Sequence, residues 1–319
     1  MAGYPLLAIV GPTASGKSAL ALRVAEELGG EIVNYDSVQL FRGFNIGAAK
    51  LPVVERRGVP HHLLDCIEPS ELFTAGDYRR EALRVLADLR ERGRLPVFVG
   101  GTGLYLRALL MGLFEGPARS AELRGRLRAL ADRRGREFLH RLLQRWDPLA
   151  ASRIQSRDTQ KLIRALEVCL QAWEPMSVLH ARGRPALEGH RVFKVGLNPP
   201  RAELYGRINE RVEKMFAGGL LEETRDMLAR PDAERIKSLE ALGYRQACAV
   251  IRGELSLPEA IRATQVATRR YAKRQFTWFR HESDVTWFEG FGEDPALQRR
   301  VLLWLGQTMG TPLEAALDK

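Results

Sequence analysis

The segment Gly11-Pro12-Thr13-Ala14-Ser15-Gly16-Lys17-Ser18 follows the pattern G-x-x-x-x-G-K-[ST] and constrains this chain more than any other feature. Such a loop works between a buried strand and a helix. There its backbone N–H groups converge on phosphate oxygens and the helix N-terminus adds positive potential. The flanking sequence supplies both elements. Leu6-Leu7-Ala8-Ile9-Val10 is a short continuous apolar run of the kind a buried parallel strand shows. Ser18 to Leu28 carries Leu20, Leu22, Val24, Ala25 and Leu28 in a helix-compatible pattern and is closed by Gly29-Gly30. Within the loop Lys17 brings a point charge, and the Ser18 hydroxyl is placed to ligate a Mg2+ that bridges the phosphates. The cradle recognises phosphate alone; a nucleotide is the usual occupant, and the pattern does not specify one.

The rest of the chain keeps the alternation going. Glu31 to Tyr35 reads as a strand leading to Asp36, and Tyr78 to Arg92 as a helix with Leu83, Leu86, Ala87 and Leu89 on one face. Pro96 to Val99 is another buried strand, closed by Gly100-Gly101-Thr102-Gly103, and Leu104 to Met111 resumes as helix. From Ala118 to about Gln171 the apolar residues recur only at helical spacing. Val192 to Leu197 restores a strand; helices are expected over Glu203–Phe216, Leu220–Leu228, Leu239–Val250 and Pro258–Phe279, then a short strand over Asp284–Phe288. The pattern predicts an α/β protein: a P-loop NTPase-like parallel sheet core over 1–115 and 190–319, with a helical insertion over 116–189.

Charge sharpens the picture of partners. The 319 residues carry 49 Lys+Arg against 39 Asp+Glu, a net of +10. Arg119 to Arg164 holds 13 basic and 5 acidic residues, and Arg262 to Arg280 holds 6 basic and none acidic, leaving −4 for everything else. Two basic zones on a mildly acidic body suit a polyanion docking at chosen surfaces, although Arg-rich helices can also simply be solvated. No apolar run approaches the ~18–20 residues of a membrane span, and Leu6–Val10 is too short for a signal-peptide core. The expected address is the cytoplasm, with no membrane and no obligate protein partner, the simplest state being a monomer. Cys66, Cys169 and Cys248 are odd in number and far apart, so neither a disulfide framework nor a CxxC metal site is readable.

Candidate chemistry gathers at the carboxyl ends of the strands, where a parallel sheet binds its ligands. Asp36 emerges there after the second strand. Its carboxylate is suited to ligating Mg2+, to capping a helix, or to accepting a proton from a nucleophile. Thr102 reaches the same rim, suited both to an N-cap for the helix at Leu104 and to a substrate contact, two compatible roles. The segment Thr268-Arg269-Arg270-Tyr271-Ala272-Lys273-Arg274-Gln275-Phe276-Thr277-Trp278-Phe279-Arg280 interleaves cations with aromatics, a pattern suited to phosphate contact with base stacking. The same pattern fits a helix whose Tyr271, Phe276 and Phe279 are core. The adjacent His61-His62 point apart and do not read as a metal site.

Taken in order, these elements resemble the tRNA dimethylallyltransferases, the isopentenyl transferases of tRNA. The resemblance rests on the P-loop, Asp36-Ser37-Val38-Gln39, Phe44-Asn45-Ile46-Gly47-Ala48-Ala49-Lys50 and Gly100-Gly101-Thr102-Gly103-Leu104-Tyr105. It continues through Arg164-Ala165-Leu166-Glu167-Val168, Leu242-Gly243-Tyr244 and the cassette from Tyr271 to Arg280. It implies transfer of a dimethylallyl group from dimethylallyl diphosphate to N6 of the adenine just 3′ of the anticodon, with Mg2+ as cofactor. Gly11 to Ser18 would then hold the donor's diphosphate, with Lys17 aiding its departure and Ser18 on the metal. Asp36 would take the amine's proton, and Thr102 would touch the target nucleotide. The tRNA anticodon stem-loop would be contacted by Asp36, Ser37, Val38, Gln39, Thr102, Arg124, Gln160, Lys161, Arg164, Lys273, Arg274, Gln275, Trp278 and Arg280. Lys161 stands where the family pattern D-x-x-R-x-x-R usually carries Arg, keeping the charge without the planar fork. Tyr35 is bulkier than the usual residue before the aspartate. A P-loop kinase moving the γ-phosphoryl of ATP to a small acceptor shares the fold. Against it stand the absence of a compact Arg-rich lid and an insertion larger than a small acceptor needs. An RNA-binding module with a vestigial P-loop fits poorly with intact Lys17 and Ser18.

Overall fold

The computed structural model describes residues 3–114, 116–183 and 186–310. Met1, Ala2, Glu115, Arg184, Pro185 and positions 311–319, all within the expected domain ranges, lie outside the described residues. The chain opens with β1 (Tyr4–Val10), α1 (Lys17–Leu28), β2 (Gly30–Asn34), β3 (His61–His62), α2 (Ala75–Glu91), β4 (Leu95–Val99) and α3 (Gly103–Met111). Helices α4 (Ala121–Arg134), α5 (Arg136–Trp146), α6 (Pro148–Arg153), α7 (Thr159–Ala172) and α8 (Met176–Ala181) follow. Then come β5 (His190–Asn198), α9 (Arg201–Ala217), α10 (Leu220–Leu228), α11 (Tyr244–Ile251), α12 (Leu257–Arg280), β6 (Val285–Glu289) and α13 (Pro295–Met309).

Two compact units result. One comprises the residues up to Leu109 together with those from Glu188 onward; the other is Leu110–Leu187. The helical unit thus starts in the last turn of α3 rather than at Gly116 and stops short of Gly189. The Leu187 N–H donates to Leu110 O at 3.0 Å, which ties its two ends. It has a core of its own, in which Leu127, Leu139, Leu143, Leu162, Ile163 and Leu166 pack together. Ser120, Asp147 and Asp158 cap α4, α6 and α7, each accepting a first-turn N–H.

In the other unit the described strands form one parallel sheet in the order β3-β2-β4-β1-β5-β6. β1 lies between β4 and β5 and is buried on both faces, so Leu6 to Val10 are fully enclosed and the strand has no polar alternation. Leu7, Ile9, Val97 and Val195 pack from the sheet onto Leu20 and Val24 of α1 and Val301 and Leu305 of α13. Parallel strands bring their carboxyl ends to one rim, so the loops after β1, β2 and β4 deliver Thr13, Asp36 and Gly101 to a shared crevice.

Local departures from the expected pattern have local causes. α2 begins at Ala75 under a Thr74–Asp77 capping box and buries Tyr78, Ala82, Leu86 and Leu89. Leu83 is only half-buried and Ala87 is exposed, because the stripe follows Tyr78, whose ring stacks on Tyr105 at 4.5 Å. The helix expected over Leu239–Val250 is divided into a 3-10 turn, Lys237–Glu240, and α11. Gly243 between them sits at φ 88, outside the helical region. α13 has no counterpart in the periodicity reading, although Asp294-Pro295 is an N-cap followed by a first-turn proline, and the Asp294 carboxylate accepts the Ala296 N–H at 2.9 Å.

Candidate active site

The P-loop closes on itself. Ser15 Oγ donates to Pro12 O at 2.8 Å and Lys17 Nζ donates to the same oxygen at 2.7 Å. Gly16 adopts φ 82 immediately before α1, a left-handed turn that aims the following amides at the loop's concave side. Lys17 is buried, and burial together with the nearby Arg211 pushes its ammonium down to about 7, against the pull of Asp36 and Glu293. Ser18 is exposed at the start of α1. Thr13 to Ser18, Asp36 to Gln39 and Gly47 to Ala49 line one cavity of about 740 Å3, closed by one face of α9 and one face of α12.

Asp36 enters this cavity on a braced turn. Its Oδ1 accepts the Val38 N–H at 2.9 Å and the Gln39 N–H at 3.4 Å, while its own N–H donates to Asn34 Oδ1 at 2.9 Å. Of the three roles open to this carboxylate, a local capping role is thus directly observed for one oxygen. Oδ2 lies beside Gly101. The Thr102 hydroxyl accepts the Ser37 N–H at 2.9 Å and donates to Ser37 Oγ at 3.0 Å, so it steadies the Asp36 turn, while its carbonyl accepts the Tyr105 N–H of α3 at 2.9 Å. Gln39 Nε2 donates to Ala48 O at 2.9 Å and thereby joins the Asp36 turn to the neighbouring loop. Val38 packs half-buried on the cluster around Phe41 and Phe44. Tyr35, bulky for its place, is fully buried: its ring lies against Gly100 and its hydroxyl donates to Ile9 O at 2.6 Å.

The C-terminal basic segment divides between surface and interior. Lys273, Arg274 and Arg280 are exposed; Arg274 also lines the cavity, and Arg280 lies over the Phe276 ring at 4.2 Å. Gln275 is buried, accepting the Thr13 N–H at 2.8 Å and donating to Gly101 O at 2.9 Å. Trp278 packs its indole against Gly103, with the Arg107 guanidinium 4.2 Å from its ring. Tyr271 donates to Gly101 O at 3.0 Å, and burial and the charge of Asp36 push its phenol up, so it stays a donor. Phe279 is core and Phe276 half-buried.

In the helical unit the residues separate in the same way. Arg124 and Arg164 both grip the fully buried Glu167, at 3.3 Å and 2.8 Å, and Glu167 also accepts the Ser120 N–H. Gln160 is exposed, and so is Lys161, which reaches Asp158 at 2.7 Å.

Other cavity residues carry no motif. On α9, Arg211 Nη1 donates to the Thr13 hydroxyl at 3.3 Å, and Arg207 pairs with Glu293 at 3.0 Å beside Gly16. Cations at i and i+4 among the buried Leu204, Ile208 and Val212 are the signal that could have marked them. Glu223 accepts the N–H groups of Asn45, Ile46 and Gly47, and the Tyr244 hydroxyl at 2.5 Å. Tyr244 in turn accepts the Ala48 N–H at 3.2 Å, so the 44–50 and 242–244 elements meet in one clamp.

The cavity lining mixes oxygen-bearing side chains, among them Ser18, Asp36 and Glu293, with the cations Lys17, Arg207, Arg211 and Arg274. Among the described residues no group of three or more His, Cys, Asp or Glu could hold a metal. His61 and His62 turn to Val59 O and to the buried Glu31. No described helix is long and apolar enough to cross a membrane.

Residues 39–282 match the family model of IPP transferases. The chain is 54% identical over 307 residues to the tRNA dimethylallyltransferase of Solibacter usitatus (strain Ellin6076), covering 95% of this chain and 100% of that one. It is similar to the crystal structure of the full-length tRNA isopentenylpyrophosphate transferase from Bacillus halodurans, with TM-score 0.70, 37% identity, and coverage of 98% and 97% of the two chains. A eukaryotic dimethylallyltransferase acting on tRNA shares the fold, with TM-score 0.81 at 22% identity over 98% of this chain and 81% of that one.

Proposed function

This chain belongs to the IPP transferase family of tRNA dimethylallyltransferases, and we propose that the cavity between Lys17 and Asp36 is where it prenylates tRNA. A dimethylallyl group passes from dimethylallyl diphosphate to N6 of the adenine 3′-adjacent to the anticodon, giving N6-dimethylallyladenosine and free diphosphate. The observation that carries this assignment is that an anion cradle and a braced carboxylate face one cavity. The kinase alternative is not favoured by the family.

In the reaction the allylic C1–O bond breaks, the N6–C1 bond forms, and the N6 proton passes to the Asp36 carboxylate. Negative charge grows on the departing diphosphate beside the loop amides, Lys17 and Arg211, and donors already fixed in the loop backbone need little rearrangement as the charge develops. The Lys17 ammonium rests on a neutral carbonyl, Pro12 O, which it can exchange for a phosphate oxygen. Mg2+ held by Ser18 and the diphosphate would add Lewis-acid stabilisation of the leaving group. A base stacked in the anticodon loop must be flipped out to reach Asp36, at about a few kcal/mol. Phosphate contacts by exposed cations such as Lys161, Lys273, Arg274 and Arg280 offset that. The enzyme acts as a cytoplasmic monomer in this reading.

Incubation with Mg2+, dimethylallyl diphosphate and unmodified tRNA, followed by mass analysis of the digested nucleosides, tests it. Adenosine gaining C5H8 is the expected product. ATP consumption with a small acceptor and no such product would overturn the assignment.

A further inference from the structure

The cavity face of α9 changes chemistry along its length. Arg207 and Arg211 stand beside the P-loop, and Met215 is the next residue on the same face. Four residues of helix advance about 6 Å. Beyond the phosphate end the lining turns apolar and small: Met215, Ala48 and Ala241 belong to the cluster built on Phe44, Val212 and Tyr244. Thr264 and Thr268 of α12 also line the cavity, but their hydroxyls donate to Ala260 O and Thr264 O at 2.7 Å each, so their polarity is satisfied within the helix. Glu240, next to Ala241, sets a negative charge at this part of the lining, which turns a diphosphate away.

We propose that Met215 is the specificity-determining residue that measures the donor's hydrocarbon tail, its thioether side chain closing the apolar end against Ala48 and Ala241. The inference rests on the donor reading above and deepens it. A five-carbon branched tail has a four-carbon path, which at ~1.5 Å per bond reaches about 4–5 Å. Adding the bond from C1 to the diphosphate oxygen brings the reach to about 6 Å, the step from Arg211 to Met215. A ten-carbon tail runs on into the Met215 side chain. The flexibility of Met makes this a fitted wall for one tail without a polar contact, and the Glu223–Tyr244 clamp holds Ala48, which lines the same cavity, in place.

Calorimetric titration in Mg2+ with inorganic diphosphate, dimethylallyl diphosphate and geranyl diphosphate separates tail from head. Met215→Ala should raise the geranyl-to-dimethylallyl affinity ratio on the order of tenfold and leave inorganic diphosphate unchanged, while Met215→Leu keeps the wild-type ratio. Met215→Phe should weaken dimethylallyl diphosphate on the order of tenfold with inorganic diphosphate again unchanged. An unaltered ratio in Met215→Ala, or parallel loss of all three ligands in either variant, overturns the proposal. A shifted ratio in a protein that adds no C5H8 to tRNA upholds the tail assignment and overturns the transfer reaction instead.

Discussion

The Thr13 N–H donates to Gln275 Oε1 at 2.8 Å, so the phosphate cradle hangs from α12 by a side chain that is itself buried. With Nε2 on Gly101 O, one carboxamide joins the loops after β1 and β4. Gln275→Leu leaves the Thr13 N–H without its partner and Gly101 O with the Tyr271 hydroxyl alone, and should lower unfolding stability by about 1–3 kcal/mol, read as the midpoint of a urea titration. Donor KM should rise while tRNA affinity holds. Lost tRNA affinity at an unchanged midpoint would make Gln275 an RNA contact instead.

Asp36 both caps its own turn and faces the cavity, so Asp36→Asn is the discriminating variant: it keeps an acceptor for Val38 and Gln39 and removes the base. Turnover should fall by ~10²–10⁴ with diphosphate affinity retained. Single-turnover kinetics beside a calorimetric diphosphate titration measure the two; wild-type turnover would end the base assignment.

Lys17 carries a pH signature. Burial, with Arg211 adding, holds its ammonium near about 7 in the free protein, so above that pH it is mostly neutral. A bound diphosphate favours the charged form, and binding should therefore take up close to one proton at about pH 8.5 and none well below 7. Calorimetry in buffers of different ionisation enthalpy reads this, and Lys17→Met should abolish the uptake. In the same window the unfolded chain binds the proton that the native one lacks, so the free protein's stability rises with pH there.

Glu167 and Lys161 lie on the same helix and should behave oppositely. Glu167→Ala strands the Arg124 guanidinium on a buried site and should destabilise the helical unit by about 3–5 kcal/mol. Lys161→Ala, at an exposed position, should leave stability within ~0.5 kcal/mol and lower the salt dependence of tRNA binding by about one phosphate contact. Denaturant titration and affinity against salt concentration separate them.

What the sequence made legible was chemistry with a fixed spacing. The P-loop, the buried runs of β1 and β4, and Asp36 at a strand end all stand where parallel-sheet geometry requires. Which way a side chain faces was less legible. Cations and amides in Tyr271–Arg280 look alike as letters, yet Gln275 is interior and Arg274 exposed, because only the pairing of α12 with the P-loop distinguishes the faces. Arg124 and Arg164, expected at an RNA-contacting face, also pair with the buried Glu167, a contact that their spacing does not announce. Glu223 and Glu293 belong to no local pattern: Glu223 acts through Asn45 and its neighbours, 178 residues away, and Glu293 through Arg207, 86 residues away.

The Gly292 N–H donates to Ser15 O at 2.9 Å, and β6 adds itself to the far side of β5. The segment that backs the phosphate cradle is therefore made after every motif from Gly11 to Arg280 has been synthesised. Domains fold from the N-terminus during synthesis, but this cradle cannot be completed in that order. A nascent chain carrying the whole set of recognisable motifs still lacks the backbone donor on Ser15 and the outermost strand. The loop gains that backing only when β6 pairs with β5 and α13 packs onto the sheet.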